Sequence, residues 1–201
     1  MFSEANRGDL QRYLDSHNDT INEPLRLKWC LQAAEAITYI HTKNVIHSDL
    51  RPENFLLHAS NDNDDPDLFL CDFGGSYCKI DDNNIIDGEH LPDPGFFDPN
   101  CDWSSTKDTD IFALGSVFYF IMTGHWPYKS PGPFLSVQES DEYDEKVEDL
   151  FKEKKYPCVE GLEGGDIMSD CWNGKIRDAG VIVARCEALI QMEKQKRGEC
   201  V

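Results

Sequence analysis

Apolar residues recur at helical spacing through Leu27, Leu31, Ala34, Ile37 and Ile40. This period predicts a helix that runs to about Thr42. Its start is marked by Asn22, Glu23 and Pro24, with the proline in the first turn. Gly8-Asp9 precede Leu10, Tyr13 and Leu14, which predict a shorter amphipathic helix. Val45-Ile46 reads as an extended piece. Phe55-Leu56-Leu57 and Leu68-Phe69-Leu70 read as short apolar strands, joined by an Asn- and Asp-rich turn from Ala59 to Asp67. The stretch from Asp110 to Met122 predicts the central apolar helix, ended by Thr123-Gly124 and Pro127. Glu139 to Lys155 predicts an acidic amphipathic helix, and Ile167 to Trp172 and Ala179 to Met192 predict further helices. From Asp81 to Ser105 no period emerges; Pro, Gly, Asp and Asn dominate. A structureless loop of that length inside a compact domain tends to be functional or disordered. There is no internal repeat.

Composition changes this picture little. A chain of 201 residues can build one domain with a proper core. The formal charge of −19, from 38 acidic against 19 basic residues, would repel nucleic acid and anionic membranes, so neither is an expected partner. Part of the acidic excess is local, in a solvated loop from Asn61 to Asp67 and on a helix face from Glu139 to Asp149. Eight cysteines occur with no C-x-x-C pair and no His/Cys cluster. Cys30, Cys71 and Cys171 lie in apolar stretches and are expected as buried small hydrophobes in a reducing compartment. Cys200 is one residue from the end, which excludes a prenylation box. Met1 to Leu10 lacks the apolar segment of a secretory signal. The most apolar run, Ile111 to Thr123, is better explained as a buried helix than as a membrane span. An intracellular location, cytoplasmic or nuclear, is expected.

The chemistry concentrates in His47-Ser48-Asp49-Leu50-Arg51-Pro52-Glu53-Asn54, followed by Asp72-Phe73-Gly74. An Asp lies five residues before an Asn, and a second Asp opens a Phe-Gly turn after a short apolar run. Such a layout can hold a hydroxyl nucleophile, magnesium and a nucleotide phosphate in one place. It matches the H-R-D-L-x-x-x-N and D-F-G signatures of protein kinases. The sequence resembles the larger, C-terminal lobe of a eukaryotic protein kinase of Ser/Thr type. Further landmarks follow in the family's order. Asn6-Arg7-Gly8-Asp9-Leu10 resembles the segment after the interlobe hinge, and Asp110 to Gly115 the D-x-W-x-L-G start of the central helix. Thr123-Gly124 with Pro127-Tyr128 resembles T-G-x-x-P-Y, and Cys171-Trp172 with Arg177 the C-W and Arg near the end of the fold. The resemblance implies a mainly α fold with a short β-hairpin, a kinase-like C-lobe across residues 1–201 that lacks the N-lobe.

The resemblance also implies roles. Asp49 would accept the hydrogen bond, and finally the proton, of the substrate hydroxyl. Arg51 falls where Ser/Thr-type kinases keep a Lys beside the transferred phosphate, and it keeps the cation without the compact ammonium. A Ser or Thr acceptor is therefore expected. Asn54 and Asp72 would be the magnesium ligands and contact the nucleotide. Leu10, Leu56, Val117 and Ile121 would form the adenine floor and its support, and Asp9 would meet the ribose. ATP and Mg2+ are the implied cofactors, and a protein substrate or protein partner is implied. His47 and Phe73 would pack on each other, and Asp110 would cap the Asp49 loop. On the residues alone, Asp9 reads equally as a helix-start acid, and Asn54 and Asp72 as turn residues.

Three departures stand out. Ser48 replaces the Arg that receives the activation-loop phosphate, and no Ser, Thr or Tyr occurs from Cys78 through Trp103. Asp81, Asp82 and Asp87 read first as solvated loop acids, with standing negative charge in place of a phosphate as the alternative. The A-P-E appears as Asp98-Pro99-Asn100, so Arg177 is expected to pair with Asp98 or to stay unpaired. Finally, there is no G-x-G-x-x-G-x-V, no strand Lys and no partner Glu. The roof over the nucleotide is expected to be missing, which leaves weak nucleotide binding, an inactive isolated chain and exposed apolar groups near Leu56, Leu70 and Phe73. A catalytically inactive kinase-like binding module is the alternative. A small-molecule kinase of the aminoglycoside or choline type is disfavoured by Phe73-Gly74, the Asp110 helix start and Cys171-Trp172 with Arg177.

Overall fold

A computed structural model describes residues 5–81 and 83–198. The expectations that rest on Met1 to Glu4, on Asp82 and on Cys200 lie outside the described residues.

Local capping explains where the helices begin. Helix α1 spans Leu10–His17, and Asp9 caps it by accepting the Arg12 amide. Helix α2 spans Glu23–Thr42, with the Asn22 side chain accepting from the Leu25 amide and Pro24 in the first turn. Helix α3, Lys107–Thr123, starts three residues ahead of Asp110 because Thr106 and Thr109 form a reciprocal capping box. It stops at Gly124, whose φ of 81° only glycine adopts freely. Helix α4, Val137–Lys152, is capped by Ser136; α5 covers Gly165–Trp172; and α6, Ala179–Lys196, is capped by Asp178. The last of these continues past Met192 as an exposed, basic turn that no apolar period marks.

The expected hairpin is present. Strand β2 (Phe55–His58) pairs antiparallel with β3 (Asp67–Leu70), Phe55 facing Leu70. A second sheet was not legible. Strands β1 (Val45–Ile46), β4 (Tyr77–Lys79) and β5 (Ile85–Asp87) form a three-stranded antiparallel sheet in the order β1-β4-β5. Strand β5 lies inside the stretch expected to be irregular. Its Ile85 and Ile86 are both exposed, so no alternation toward a core betrays it; backbone pairing of Ile86 with Cys78 defines it.

Helix α3 is the centre of the core, buried at every position from Thr109 to Ile121. It is apolar on all faces because neighbours cover every face. A Cβ on Gly115 would lie 2.8 Å from the Cys171 Cβ, so α3 and α5 touch backbone-close. There the Trp172 indole Nε1 donates to Ser116 Oγ at 2.9 Å. Trp29, Phe55, Phe96, Phe118, Phe120 and Phe151 are fully buried, each such side chain contributing roughly 1.5–3 kcal/mol. Cys30, Cys171 and Cys186 are buried thiols, whereas Cys71 is half-buried, which corrects its expected burial. Cys101 and Cys158 are exposed. Among the described residues no helix is long and apolar enough to cross a membrane.

Candidate active site

The site is built from α3 outward. Asp110, in the first turn of α3, is 1% exposed. Its Oδ2 accepts the His47 amide at 2.8 Å and meets His41 Nε2 at 2.9 Å, while Oδ1 accepts the Ser48 amide at 2.9 Å. One carboxylate thus fixes two successive peptide units just ahead of Asp49. Ser48 sits in the left-handed region, at φ 69°, and is fully buried. Its Oγ has no hydrogen-bond partner among the described residues.

His47 joins the two signature motifs. The Asp49 amide donates to its Nδ1 at 3.4 Å, so the ring proton resides on Nε2, which donates to the Cys71 carbonyl at 2.9 Å. The ring also packs edge-on against Phe73, with centroids 5.0 Å apart. Asn54 closes the loop. Its Nδ2 donates to the Asp49 carbonyl at 2.7 Å and to Asp49 Oδ2 at 2.9 Å. Its own carbonyl accepts the Cys71 amide at 2.9 Å. Asp72 follows directly, exposed, at φ 57°, with Oδ1 accepting the Gly74 amide at 3.2 Å. This continuous chain of bonds ties the Asp49 loop, through Asn54, to Cys71, the residue before Asp72.

The two oxygens of Asp49 differ. Oδ2 is held by Asn54, whereas Oδ1 is buried and has no hydrogen-bond partner among the described residues. Arg51 Nε lies 3.7 Å and His90 Nε2 3.4 Å from Oδ1. Arg51 also pairs with Asp93 through Nη1 at 2.8 Å. Burial pulls the Arg51 guanidinium down, but the hydrogen bond it donates to Asp93 and the charge of Asp49 outweigh it and hold it above its ordinary value. Burial pushes the neighbouring Glu53 carboxyl up.

The segment before α1 lies against β2. Leu57 donates to the Gly8 carbonyl at 2.9 Å, and Asp9 bridges to Leu56. Asp9 is engaged as the α1 cap, with its other oxygen 3.4 Å from Arg12. Leu56 is half-buried; Leu10, Val117 and Ile121 are fully buried.

Arg177 corrects an expectation. It pairs with Asp108, in the first turn of α3, and not with Asp98. Both partners are substantially exposed, so no buried lone cation arises. Asn100 instead donates to the Phe151 carbonyl at 3.0 Å and to Asp98 at 3.1 Å. Sequence reasoning also missed His41, His90 and Asp93. His41 carried a faint signal as a polar residue closing an apolar helical stripe; His90 and Asp93 carried none.

A protein kinase domain family model matches residues 1–173. Aurora kinase B of Drosophila melanogaster is 35% identical over 212 residues, covering 97% of this chain and 58% of that protein. The 3-phosphoinositide-dependent protein kinase 1 of Rattus norvegicus is 28% identical over 166 residues, covering 80% of this chain and 27% of that protein. The calcium/calmodulin-dependent protein kinase cmkB of Emericella nidulans is 33% identical over 105 residues, 51% of this chain and 26% of that protein. The chain therefore spans less than two thirds of the length of these relatives. A loop pinned by Asp110, two signature motifs meeting through His47, and similarity along most of the sequence have one reading: this chain belongs to the protein kinase family.

Proposed function

We propose that the chain carries the acceptor and metal-binding half of a Ser/Thr protein kinase active site, which transfers the terminal phosphoryl group of ATP to a protein hydroxyl. The observation that carries this reading is the asymmetry of Asp49. A buried carboxylate oxygen without a partner is costly, and a substrate hydroxyl would satisfy it. Asp49 Oδ1 orients that hydroxyl and takes its proton, while Asn54 keeps Oδ2 and the loop fixed. Arg51 supplies positive charge beside the transferred group. The donors suit magnesium, a hard cation that takes oxygen ligands. Asn54 spends its NH2 on Asp49, which leaves its amide oxygen for a metal, and Asp72 offers an exposed carboxylate. When bound, magnesium would neutralise phosphate charge. Leu56 would lie under the adenine and Asp9 near the ribose.

The sequence contains no G-x-G-x-x-G. Phosphoryl transfer depends chiefly on alignment of the phosphates, so these residues alone give negligible transfer and weak nucleotide binding. Transfer to a protein acceptor appears when a covering kinase half is joined to them, and Asp49→Ala lowers it by about 10²–10⁴-fold. Robust magnesium-dependent transfer by the 201 residues alone, abolished by Asp49→Ala, would overturn the first expectation. Absence of transfer in the joined form would favour a kinase-like binding module. That second reading draws on the exposed Phe69 and Phe73, 52% and 47% accessible, beside the half-buried Leu56 and Leu70.

A further inference from the structure

A cavity of about 270 Å³ opens beside the first turns of α3, and no residue of the 47–54 loop or the Asp72 turn lines it. Its floor is aromatic. Tyr156 stacks on Trp172 with centroids 5.5 Å apart, and Phe112 meets Tyr156 edge-on at 6.0 Å. Its walls carry two acids, Asp98 and Asp108, and two cations, Lys154 and Arg177. Sites for drug-sized ligands measure about 300–1,000 Å³, so this one suits a smaller molecule. Three of the four charges have capacity to spare. Lys154 closes α4 at φ 54°, where glycine is the common residue, and its ammonium has no partner among the described residues. Arg177 commits Nη1 to Asp108, which leaves the rest of its fork open. Asp98 Oδ1 accepts from the Asn100 amide at 3.0 Å and from its side chain at 3.1 Å, but Oδ2 meets only the Cys101 thiol, a weak donor, at 3.3 Å. Burial and that bond from Asp98 push the thiol up to about 11. Burial and the charge of Asp98 push the Tyr156 hydroxyl up to about 12. Both groups therefore stay neutral, and the Asp98 wall is the negative side of the cavity.

We propose that this cavity binds a free α-amino acid with an apolar side chain. The ammonium takes Asp98 Oδ2 in place of the thiol, the carboxylate takes Lys154 and the open edge of Arg177, and the side chain lies on Phe112, Tyr156 and Trp172. Charge balance selects the ligand class. Two acids and two cations cancel, so a ligand of one charge leaves the opposite need of the walls unmet, whereas a zwitterion answers both. The net charge of −19 repels a plain anion. An ammonium near Tyr156 and Trp172 also gains from their negative ring faces. The aromatic floor supplies apolar area that a polar side chain would leave uncovered. The inference is independent of the phosphotransfer reading, since it uses none of the Asp49, Asn54 and Asp72 groups.

The test uses the 201-residue chain and L-leucine, with two analogues that each lack one charge. Isocaproate has no ammonium, and isoamylamine has no carboxylate. The readout is the nuclear magnetic resonance signal of the Trp172 indole N–H, which is held on Ser116 Oγ at 2.9 Å beside the cavity. L-leucine is expected to shift this signal saturably, and each analogue to bind at least about fivefold more weakly. Lys154→Gln and Asp98→Asn are each expected to weaken L-leucine binding by about twofold to fivefold, with circular dichroism unchanged. Absence of a saturable shift with L-leucine, equal binding of either analogue, or unchanged affinity in both variants overturns the proposal. Should a variant fail to fold, the comparison of the three ligands on the intact chain decides.

Discussion

Asp110→Asn is the most informative single change. The carboxylate accepts from the His47 amide at 2.8 Å, the Ser48 amide at 2.9 Å and the His41 ring at 2.9 Å. His47 and Ser48 are fully buried, so water cannot replace the lost acceptor. An orphaned buried donor costs about 1–3 kcal/mol. Asn keeps the shape but offers one oxygen and an NH2 that confronts an amide, so at least one donor is lost and one repulsion gained. A destabilisation of about 2–4 kcal/mol follows; Asp110→Ala, which strands all three donors, should cost about 3–6 kcal/mol. Against a total of about 5–15 kcal/mol either loss is large. The assay is urea unfolding followed by tryptophan fluorescence, with His41→Ala and the His41→Ala, Asp110→Ala double variant completing a cycle that isolates the His41 contribution. A cost below about 1 kcal/mol for Asp110→Asn would refute the claim that this carboxylate holds the loop.

Ser48→Ala removes a buried hydroxyl that has no partner, so it should raise stability by about 1 kcal/mol in the same assay; a loss would mean that the hydroxyl is bonded. Burial pushes the Cys171 and Cys186 thiols from 9.0 up to about 12. The folded chain keeps protons that the unfolded chain releases, so this stability is complete below about pH 9 and is lost as pH rises toward 12, by roughly 1.4 kcal/mol per pH unit per thiol. Unfolding between about pH 8 and about pH 11 should show the slope, and Cys186→Ala should reduce it; an unaltered slope would contradict the assignment. Phosphatase treatment should leave the activity of a joined two-lobe form unchanged, because Cys78 to Trp103 holds no hydroxyl and Ser76 is buried with its Oγ on the His47 carbonyl. A loss of activity that tracks Ser76 or Tyr77 would defeat that expectation.

The core and the motif-bearing loop were legible because they follow short-range rules. Helix α2 could be read from the Asn22-Glu23-Pro24 start and the stripe to Ile40, and its observed end at Thr42 agrees. The α3 start was misplaced because a capping box built of two threonines lies outside the apolar pattern. Strand β5 was invisible for a physical reason: Ile85 and Ile86 are both more than half exposed, so no alternation toward a core marks them, and inter-strand pairing defines the strand. Within the site, Asp49, Asn54 and Asp72 were named by spacing, and bonds through His47 and Asn54 tie the Asp49 loop to Cys71, next to Asp72. His90 and Asp93 could not be found that way. They reach Asp49 and Arg51 from about forty positions along the chain.

The open side of β5 has a further consequence for how the protein behaves at high concentration. In the order β1-β4-β5 the last strand pairs on one side only, and its isoleucines are 53% and 59% exposed. Such an edge is a template on which a second copy can add strands. Asp81 and Asp87 flank it like gatekeepers, and the net charge of −19 keeps copies apart. That protection is electrostatic, so it weakens as the screening length falls from about 10 Å at 0.1 M salt to about 3 Å at 1 M. Salt, which calms most protein surfaces, should therefore drive this one toward edge-to-edge assembly.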